Sequence, residues 1–229
     1  MKQAWIVLLA FLLSCSASAE IEKTALTCKT TICFYWWPKL PEVRGWHQDR
    51  EQSYEFSANV LVPNGSTFSD AETVMYAEAL YKPRIPETKT VEALIAGDEK
   101  RLLNDKPGIK VAESRGMVTG DGKLLRSVTF SPRQQGDWEQ VSYGEEGDFY
   151  LIFTVSSRTK AAYQRAASTY VDLIKSYREK PLTGRSLPSR SRATARLGRR
   201  NYDRRTTEVD ASQHRDLPSA VSKEGAAGS

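Results

Sequence analysis

Polar and apolar residues alternate along three consecutive stretches in the middle of the chain, which is the pattern of half-buried β-strands. The stretches read IKVAESRGMV, LLRSVTFS and DWEQVSYG, at residues 109–118, 124–131 and 137–144. TGDGK, residues 119–123, supplies two glycines for a tight hairpin between the first two stretches. Short turns of this kind join neighbouring strands, so the region predicts an antiparallel meander.

The strand predicted after the meander is apolar on both faces from Phe149 to Val155. A strand buried on both sides belongs in the middle of a sheet, so we expect this one to be central. Two more strands are predicted upstream. Polar and apolar residues alternate over residues 53–62, and TVMYAEALY spans residues 73–81, where Lys82-Pro83 ends it.

Two helices are predicted, at residues 91–105 with Thr90 as the cap and at residues 158–177 with Ser157 as the cap. Their apolar residues recur at helical spacing: Val91, Leu94, Ile95 and Leu102 in the first, and Tyr163, Ala167, Tyr170, Ile174 and Tyr177 in the second. Together the elements predict a single α+β domain over residues 20–180. We expect an antiparallel β-meander sheet with a mid-chain helix and a C-terminal helix packed on it.

The N-terminus, MKQAWIVLLAFLLSCSASAE, has the order of an export signal. Its apolar run from Ala4 to Leu13 is shorter than the roughly 20 residues that a membrane-spanning helix needs. Ala17-Ser18-Ala19 has the small-x-small pattern of a cleavage site. We therefore predict a signal peptide at residues 1–19 and a periplasmic or secreted protein. No later apolar run is long enough to cross a membrane, so an integral multi-pass membrane protein is not expected.

A second interpretation of the same leader remains open. Leu12-Leu13-Ser14-Cys15 resembles a bacterial lipobox, in which Cys15 would become the lipidated N-terminus. The protein would then be an outer-membrane lipoprotein anchored through Cys15.

Cys28 and Cys33 are the two cysteines left after the leader, and a disulfide between them is the default in an exported chain. The loop is short, and the chain-entropy estimate for closing it is roughly 2 kcal/mol. A redox-active pair more often has the Cys-x-x-Cys spacing. Zinc is disfavoured because His47 is the only histidine before residue 181. The pair therefore indicates a structural bridge.

The net charge of +5 is unevenly distributed. Residues 181–229 hold ten Lys/Arg and five Asp/Glu, whereas residues 20–180 hold 22 and 23. This last segment has few large apolar residues and no periodicity, so we predict a disordered basic tail. If the tail has a partner, we expect an anionic surface. An extension without a function explains the same composition.

Glu145, Glu146 and Asp148 form an acidic turn between two predicted strands, with Glu139 nearby in sequence. Paired carboxylates can act as general acid and base when their environments separate their pKa values. Solvated charges in a turn are the more ordinary explanation. His47 has no nucleophile motif to serve, and the chain has no phosphate-binding loop of the Walker type.

Phe34, Tyr35, Trp36 and Trp37 are consecutive, so in a strand they alternate between its two faces. One explanation is packing, with one pair in the core and the other covering a sheet edge. The alternative is an exposed aromatic platform for a partner, held rigid by the disulfide and the flanking prolines. Trp36, Trp37 and Trp46 are the candidate residues of such a binding surface.

Gly45-Trp46 before the first long hairpin, and FYLIFTVSS leading into a final helix that ends in IKSYR, resemble the PsbP-like fold. That fold includes extrinsic subunits of photosystem II, a Ran-binding import factor and several bacterial lipoproteins. WWPKLPEVRGW with EEGDFYLIFTVSSRTKAAY also resembles an uncharacterised family of exported proteobacterial proteins. The resemblance covers about residues 28–178 and implies an α/β/α sandwich with an accessory or binding role.

These observations predict a non-catalytic exported envelope protein, which serves as an accessory or binding module for a protein or a cell-envelope component. No cofactor or metal is expected. The alternative is an envelope hydrolase that uses the acidic turn around Glu145–Asp148.

Overall fold

The computed structural model describes residues 21–28, 31–133 and 136–178. The predicted signal peptide at residues 1–19, the lipidation candidate Cys15 and the predicted tail at residues 181–229 lie outside the described residues. The elements, in chain order, are β1 (Ile21–Cys28), β2 (Thr31–Pro38), β3 (Trp46–Gln48), α1 (Arg50–Phe56), β4 (Asn59–Pro63), β5 (Thr73–Tyr81), a single 3-10 turn (Lys82–Arg84), α2 (Val91–Asp105), β6 (Lys110–Val118), β7 (Leu124–Ser131), β8 (Trp138–Glu146), β9 (Phe149–Ser157) and α3 (Lys160–Ser176).

Seven of these strands form one sheet in the order β3-β4-β5-β9-β8-β7-β6, with every neighbouring pair antiparallel. The predicted meander is confirmed as β6 to β9. The predicted central strand is confirmed too, because β9 is the fourth of the seven and every one of its residues is buried. Strand β9 also pairs along its whole length with β5, so this pair joins the meander to the strands that come earlier in the chain.

The two long helices cover opposite faces of this sheet. Leu151, Phe153 and Val155 of β9 pack with α3 residues such as Tyr170, whereas the alternate residues of β9 pack with α2. Period-two alternation along one strand thus supplies the apolar surface for both helices. The predicted α+β class, with a mid-chain helix and a C-terminal helix packed on an antiparallel sheet, is confirmed.

The prediction of a strand over residues 53–62 is wrong in its first half. Residues Arg50–Phe56 form α1. Asp49 caps this helix, because its carboxylate accepts a hydrogen bond from the backbone N–H of Gln52. The helix ends at Ser57, in the left-handed region at φ 54°. Local capping therefore overrides an alternation that continues correctly only in β4.

The caps of the two long helices follow the same chemistry. Thr90 caps α2 as predicted, by accepting a hydrogen bond from the backbone N–H of Ala93. Thr159, rather than the predicted Ser157, caps α3, because Ser157 is still paired with Thr73 in the sheet. Within the described residues, no helix combines the length and the apolar character needed to span a bilayer.

Strands β1 and β2 form a separate two-stranded sheet, an antiparallel hairpin. Its base packs on the α3 side of the large sheet, where Ile21 and Trp36 contact the core. Trp36 contacts Tyr81 at the end of β5 and Phe149 at the start of β9. The tip of the hairpin therefore points past the end of the large sheet at which β5 ends and β9 begins.

Candidate binding site

The hairpin carries the cysteine pair and the four consecutive aromatic residues. Cys28 and Cys33 are joined by a disulfide, as predicted, with their Cα atoms 5.8 Å apart. In the β1–β2 register, Leu26 lies opposite Cys33 and Cys28 lies opposite Thr31. The bridge therefore ties the two strands together at the tip of the hairpin.

One face of β2 is packed against α1. The rings of Tyr35 and Trp37 lie 5.3 Å and 5.5 Å from the ring of Tyr54, measured between centroids. Trp37 is 1% exposed, and its indole N–H donates a hydrogen bond to Glu22. Trp37 therefore belongs to the core, and its assignment to the predicted binding surface is wrong because α1, which was predicted as strand, covers this face.

The other face of β2 carries Ile32, Phe34 and Trp36. Trp36 is half-buried against Tyr81 and Phe149, whereas Phe34 and Ile32 remain exposed. Trp46, the third tryptophan of the predicted surface, is half-buried in β3 and packs on the core. Of the predicted tryptophans, Trp36 lines a cleft.

That cleft is small and partly open to solvent, with a cavity volume of about 40 Å³, and it lies beside the second half of β5. Trp36 forms one wall and Arg84 and Ile85 form another, with Ser57 at one end. The guanidinium of Arg84 stacks on the Trp36 ring. The floor is the stretch from Glu78 to Tyr81.

The cleft exists because β4 is shorter than β5. Strand β4 pairs with β5 only from Asn59 to Leu61, opposite Met75 to Ala77. The residues before Asn59 belong to α1 and its C-cap Ser57, so β4 does not extend along the second half of β5. The backbone N–H of Lys82 bonds to the carbonyl of Asp148, on the β9 side. Backbone groups alternate in direction along an antiparallel strand, so those of Ala79 and Tyr81 point to the open edge. No other described strand pairs with this edge.

Glu78 connects the cleft with the α2 side of the sheet. Burial raises the pKa of Glu78 to about 8, with a second contribution from the nearby Asp98 and an opposing one from Arg101. Burial likewise raises the pKa of Asp98, whose carboxylate lies 3.7 Å from a guanidinium nitrogen of Arg101. The charged groups that act on the Glu78 carboxyl, Asp98 and Arg101, both lie on α2.

A second polar cluster lies between the end of α2 and β8. Lys106 contacts the carboxylates of Asp137 at 3.0 Å and Glu139 at 3.5 Å, and both acids are buried. Ser156 donates a hydrogen bond to Glu139. Burial raises the pKa of Glu139, while the Lys106 ammonium acts in the opposite direction. The cluster fixes the C-terminal end of α2 to the sheet.

The residues of the predicted acidic turn are separated from the other candidate catalytic groups. Glu145 forms an ion pair with Lys82 at 2.9 Å, and Glu146 accepts a hydrogen bond from the Tyr177 hydroxyl. Glu139 lies six residues away along β8, which is about 20 Å for a strand. His47 is on β3, four strands away from β8. The described geometry does not assemble the site that the hydrolase alternative requires.

The described residues contain no group of three His, Cys, Asp or Glu side chains placed to hold a metal ion. The candidate site is therefore the cleft beside β5, lined by an aromatic ring, a guanidinium, a carboxyl group of raised pKa and an open strand edge.

Sequence reasoning missed Arg84 and Glu78. Arg84 follows Pro83 in a segment without periodicity, so nothing local places it over Trp36. Glu78 sits at an alternating position of a predicted strand, where a charged residue usually faces solvent. Phe34 could have been found, because it shares a strand face with Trp36 but lies nearer the tip.

No protein-family model matches the chain, and no curated protein matches it in sequence. Several solved structures are similar in shape, and two of them are described here. One is a protein of unknown function from Pseudomonas aeruginosa, PA94, with a TM-score of 0.42 and 12% identity over 69% of this chain and 98% of that one. The other is the Ran-binding protein Mog1p of Saccharomyces cerevisiae, with a TM-score of 0.35 and 10% identity over 66% of this chain and 85% of that one. At these TM-scores, neither likeness transfers a function to this chain.

Proposed function

We propose that this chain is a non-catalytic, exported binding module of the cell envelope that holds an extended segment of a partner protein in the cleft beside β5. The observation that carries the proposal is the open edge of β5, which faces a cleft walled by Trp36 and Arg84. Strand edges with unpaired N–H and C=O groups are recognised by adding a strand.

The chemistry of the cleft favours a segment that carries a carboxylate. Arg84 makes no ion pair with the described residues, whereas Lys82 nearby is paired with Glu145. Glu78, with a pKa of about 8, is largely neutral at pH 7 and does not repel an anion strongly. Stacking on Trp36 leaves the guanidinium edge available for a carboxylate.

Export is part of the proposal and rests on the leader and the disulfide. Disulfides persist in oxidising compartments such as the periplasm. Cell fractionation followed by mass spectrometry tests it. We expect the chain in the periplasmic or secreted fraction, either starting at Glu20 or lipidated at Cys15, with two hydrogens fewer than the reduced form. Full-length chain in the cytoplasm with free thiols at Cys28 and Cys33 would contradict export.

The binding role is tested by crosslinking in cells. A photoreactive amino acid replaces Ile85, which lines the cleft, or Leu103, which is exposed on α2. We expect a discrete adduct with a protein from position 85 and none from position 103. Adding Arg84→Glu should abolish the adduct, because it reverses the charge that holds the carboxylate. Equal adducts from both positions, or none from position 85, would show that the cleft is not the partner site.

A further inference from the structure

One face of the β1–β2 hairpin continues the wall of the cleft beyond Trp36. Ile32 and Phe34 lie on the same face of β2 as Trp36, because alternate residues of a strand share a face. Phe34 is 49% exposed and Ile32 is 55% exposed. At the rise of a β-strand, they lie about 7 Å and about 13 Å along β2 from Trp36. An exposed apolar row therefore begins where the wall of the cleft ends.

The strand opposite this row places no charge beside it. In the β1–β2 register, Ala25 lies opposite Phe34 and Thr27 lies opposite Ile32. Covering a charged group of a partner with such a surface is costly, because nothing replaces the water that the charge gives up. The row therefore favours apolar side chains of a partner over charged ones.

The cleft alone gives a partner little apolar surface to bury. Its volume of about 40 Å³ accommodates a group of a few atoms, such as a carboxylate, and not a whole segment. The open edge of β5 adds the backbone groups of Ala79 and Tyr81. Each hydrogen bond to them contributes modestly, because the partner gives up a bond to water in exchange. Most of the binding free energy must then come from apolar contact outside the cleft.

The hairpin lies in the path of a segment bound beside β5. It projects past the end of the large sheet at which β5 ends, since Trp36 packs there on Tyr81 and Phe149. A segment that follows the edge of β5 past Tyr81 therefore continues beside Phe34 and Ile32. Alternate residues of an extended segment are about 7 Å apart, which matches the spacing along the row.

We propose that the partner segment carries an acidic residue that binds Arg84 and two large apolar residues, at the second and fourth positions to one side of it, that pack on Phe34 and Ile32. The inference rests on the proposed function, because it names the class of segment that the cleft binds. It makes Phe34 and Ile32 the residues that select among acidic segments.

Selection from a library of random displayed peptides, on the purified protein with its complete C-terminal segment, tests the proposal. We expect enriched peptides to carry an aspartate or glutamate with large apolar residues at the second and fourth positions to one side. A parallel selection on Arg84→Glu should enrich none of these sequences, because the charge of the anchor is reversed. That variant keeps the C-terminal arginines, so acidic peptides that bind only there are found in both selections and are discarded.

Variants of the hairpin measure the apolar contribution, by the fluorescence anisotropy of a labelled peptide synthesised from the enriched set. Phe34→Ser should weaken binding about tenfold and Ile32→Ser severalfold, because each removes an apolar contact. Leu26→Ser is the matched control and should leave the affinity unchanged. Leu26 is 38% exposed on the same hairpin but lies opposite Cys33, on the other face. Circular dichroism confirms that each variant is folded.

The outcomes separate this inference from the proposed function. Enriched peptides that require Arg84 but have no apolar residues at these positions would overturn the inference and leave the cleft as the binding site. The same holds for peptides that bind Phe34→Ser and Ile32→Ser as tightly as the wild type. If the wild type and Arg84→Glu enrich the same peptides, Arg84 is not the anchor and both proposals fail.

Discussion

Arg84 lies over the face of Trp36, with its guanidinium carbon 4.1 Å from the centroid of the ring. The two residues are 48 positions apart in sequence and come from a 3-10 turn and a hairpin. Their contact closes the cleft beside β5 on the side of the hairpin. Burial near the ring lowers the pKa of Arg84, which stays charged at physiological pH because an arginine pKa starts so high.

We expect Arg84 and Trp36 to be energetically coupled. A double-mutant cycle with Arg84→Leu and Trp36→Leu, measured by urea unfolding, should give a coupling energy of about 0.5 to 1 kcal/mol, the range for exposed cation–π pairs. The control pairs Trp36→Leu with Arg44→Leu, because Arg44 is exposed and has no contact with that ring among the described interactions. A coupling no larger than in the control would contradict the stacking.

Glu78 should make the stability depend on pH. Its pKa is raised from 4.5 to about 8 in the folded protein. Between these values the folded state holds a proton that the unfolded state releases, so the free energy of unfolding falls as pH rises. Glu78→Gln removes this loss. We expect the variant to gain roughly 4 kcal/mol relative to the wild type between pH 5 and pH 9.

Urea unfolding at several pH values measures that gain. Glu42→Gln, at an exposed position, is the matched control and should give a curve parallel to the wild type. If Glu78→Gln also runs parallel to the wild type, then Glu78 is not buried as the structure has it.

Lys106→Met should destabilise the domain, since it leaves the buried carboxylates of Asp137 and Glu139 without their cation. Breaking a buried ion pair in this way costs about 3 to 5 kcal/mol, and the partial exposure of Lys106 favours the lower end. The loss should be smaller at pH 5 than at pH 8, because burial raises the pKa of Glu139 and its protonation removes one unpaired charge. Lys100→Met, exposed on the same helix, should change little. A loss that does not vary with pH would point to packing instead.

Two glycines should respond in opposite directions to replacement by alanine. A Cβ at Gly120 would lie 2.3 Å from the backbone oxygen of Lys175, so Gly120→Ala should destabilise the domain by about 1 to 3 kcal/mol. Gly97 lies inside α2, and a Cβ added there would have no neighbour within 4 Å. Gly97→Ala should therefore stabilise the domain by roughly 0.5 to 1 kcal/mol. Thermal unfolding measures both. Similar effects from the two substitutions would mean that α3 does not end against the β6–β7 turn.

The parts of the fold that could be predicted are those in which the local pattern agrees with the tertiary packing. β5 has an alternating pattern, β9 is apolar on both faces, and both occupy the positions in the sheet that these patterns favour. α1 could not be predicted by alternation, because residues 53–62 keep a period of two across a helix and a strand. The cap at Asp49 and the left-handed Ser57 decide that boundary.

The candidate site was less predictable than the fold. The aromatic run of β2 is evident from the sequence. Which of its two faces is buried depends on α1, which covers Tyr35 and Trp37. The acidic turn attracted a catalytic hypothesis because its carboxylates are adjacent in sequence. In the structure Glu145 and Glu146 have partners of their own and His47 is distant.

The sequence by itself determined the antiparallel meander, the two long helices and the pairing of Cys28 with Cys33, because periodicity, capping and short spacing are local properties. Only the tertiary structure decided that Arg84 covers Trp36, that β4 leaves the edge of β5 open and that α1 covers Trp37 while Phe34 stays exposed. Such relationships join residues far apart in the chain. They follow from how the hairpin and helices pack on the sheet, and the pattern within any one element carries no information about that packing.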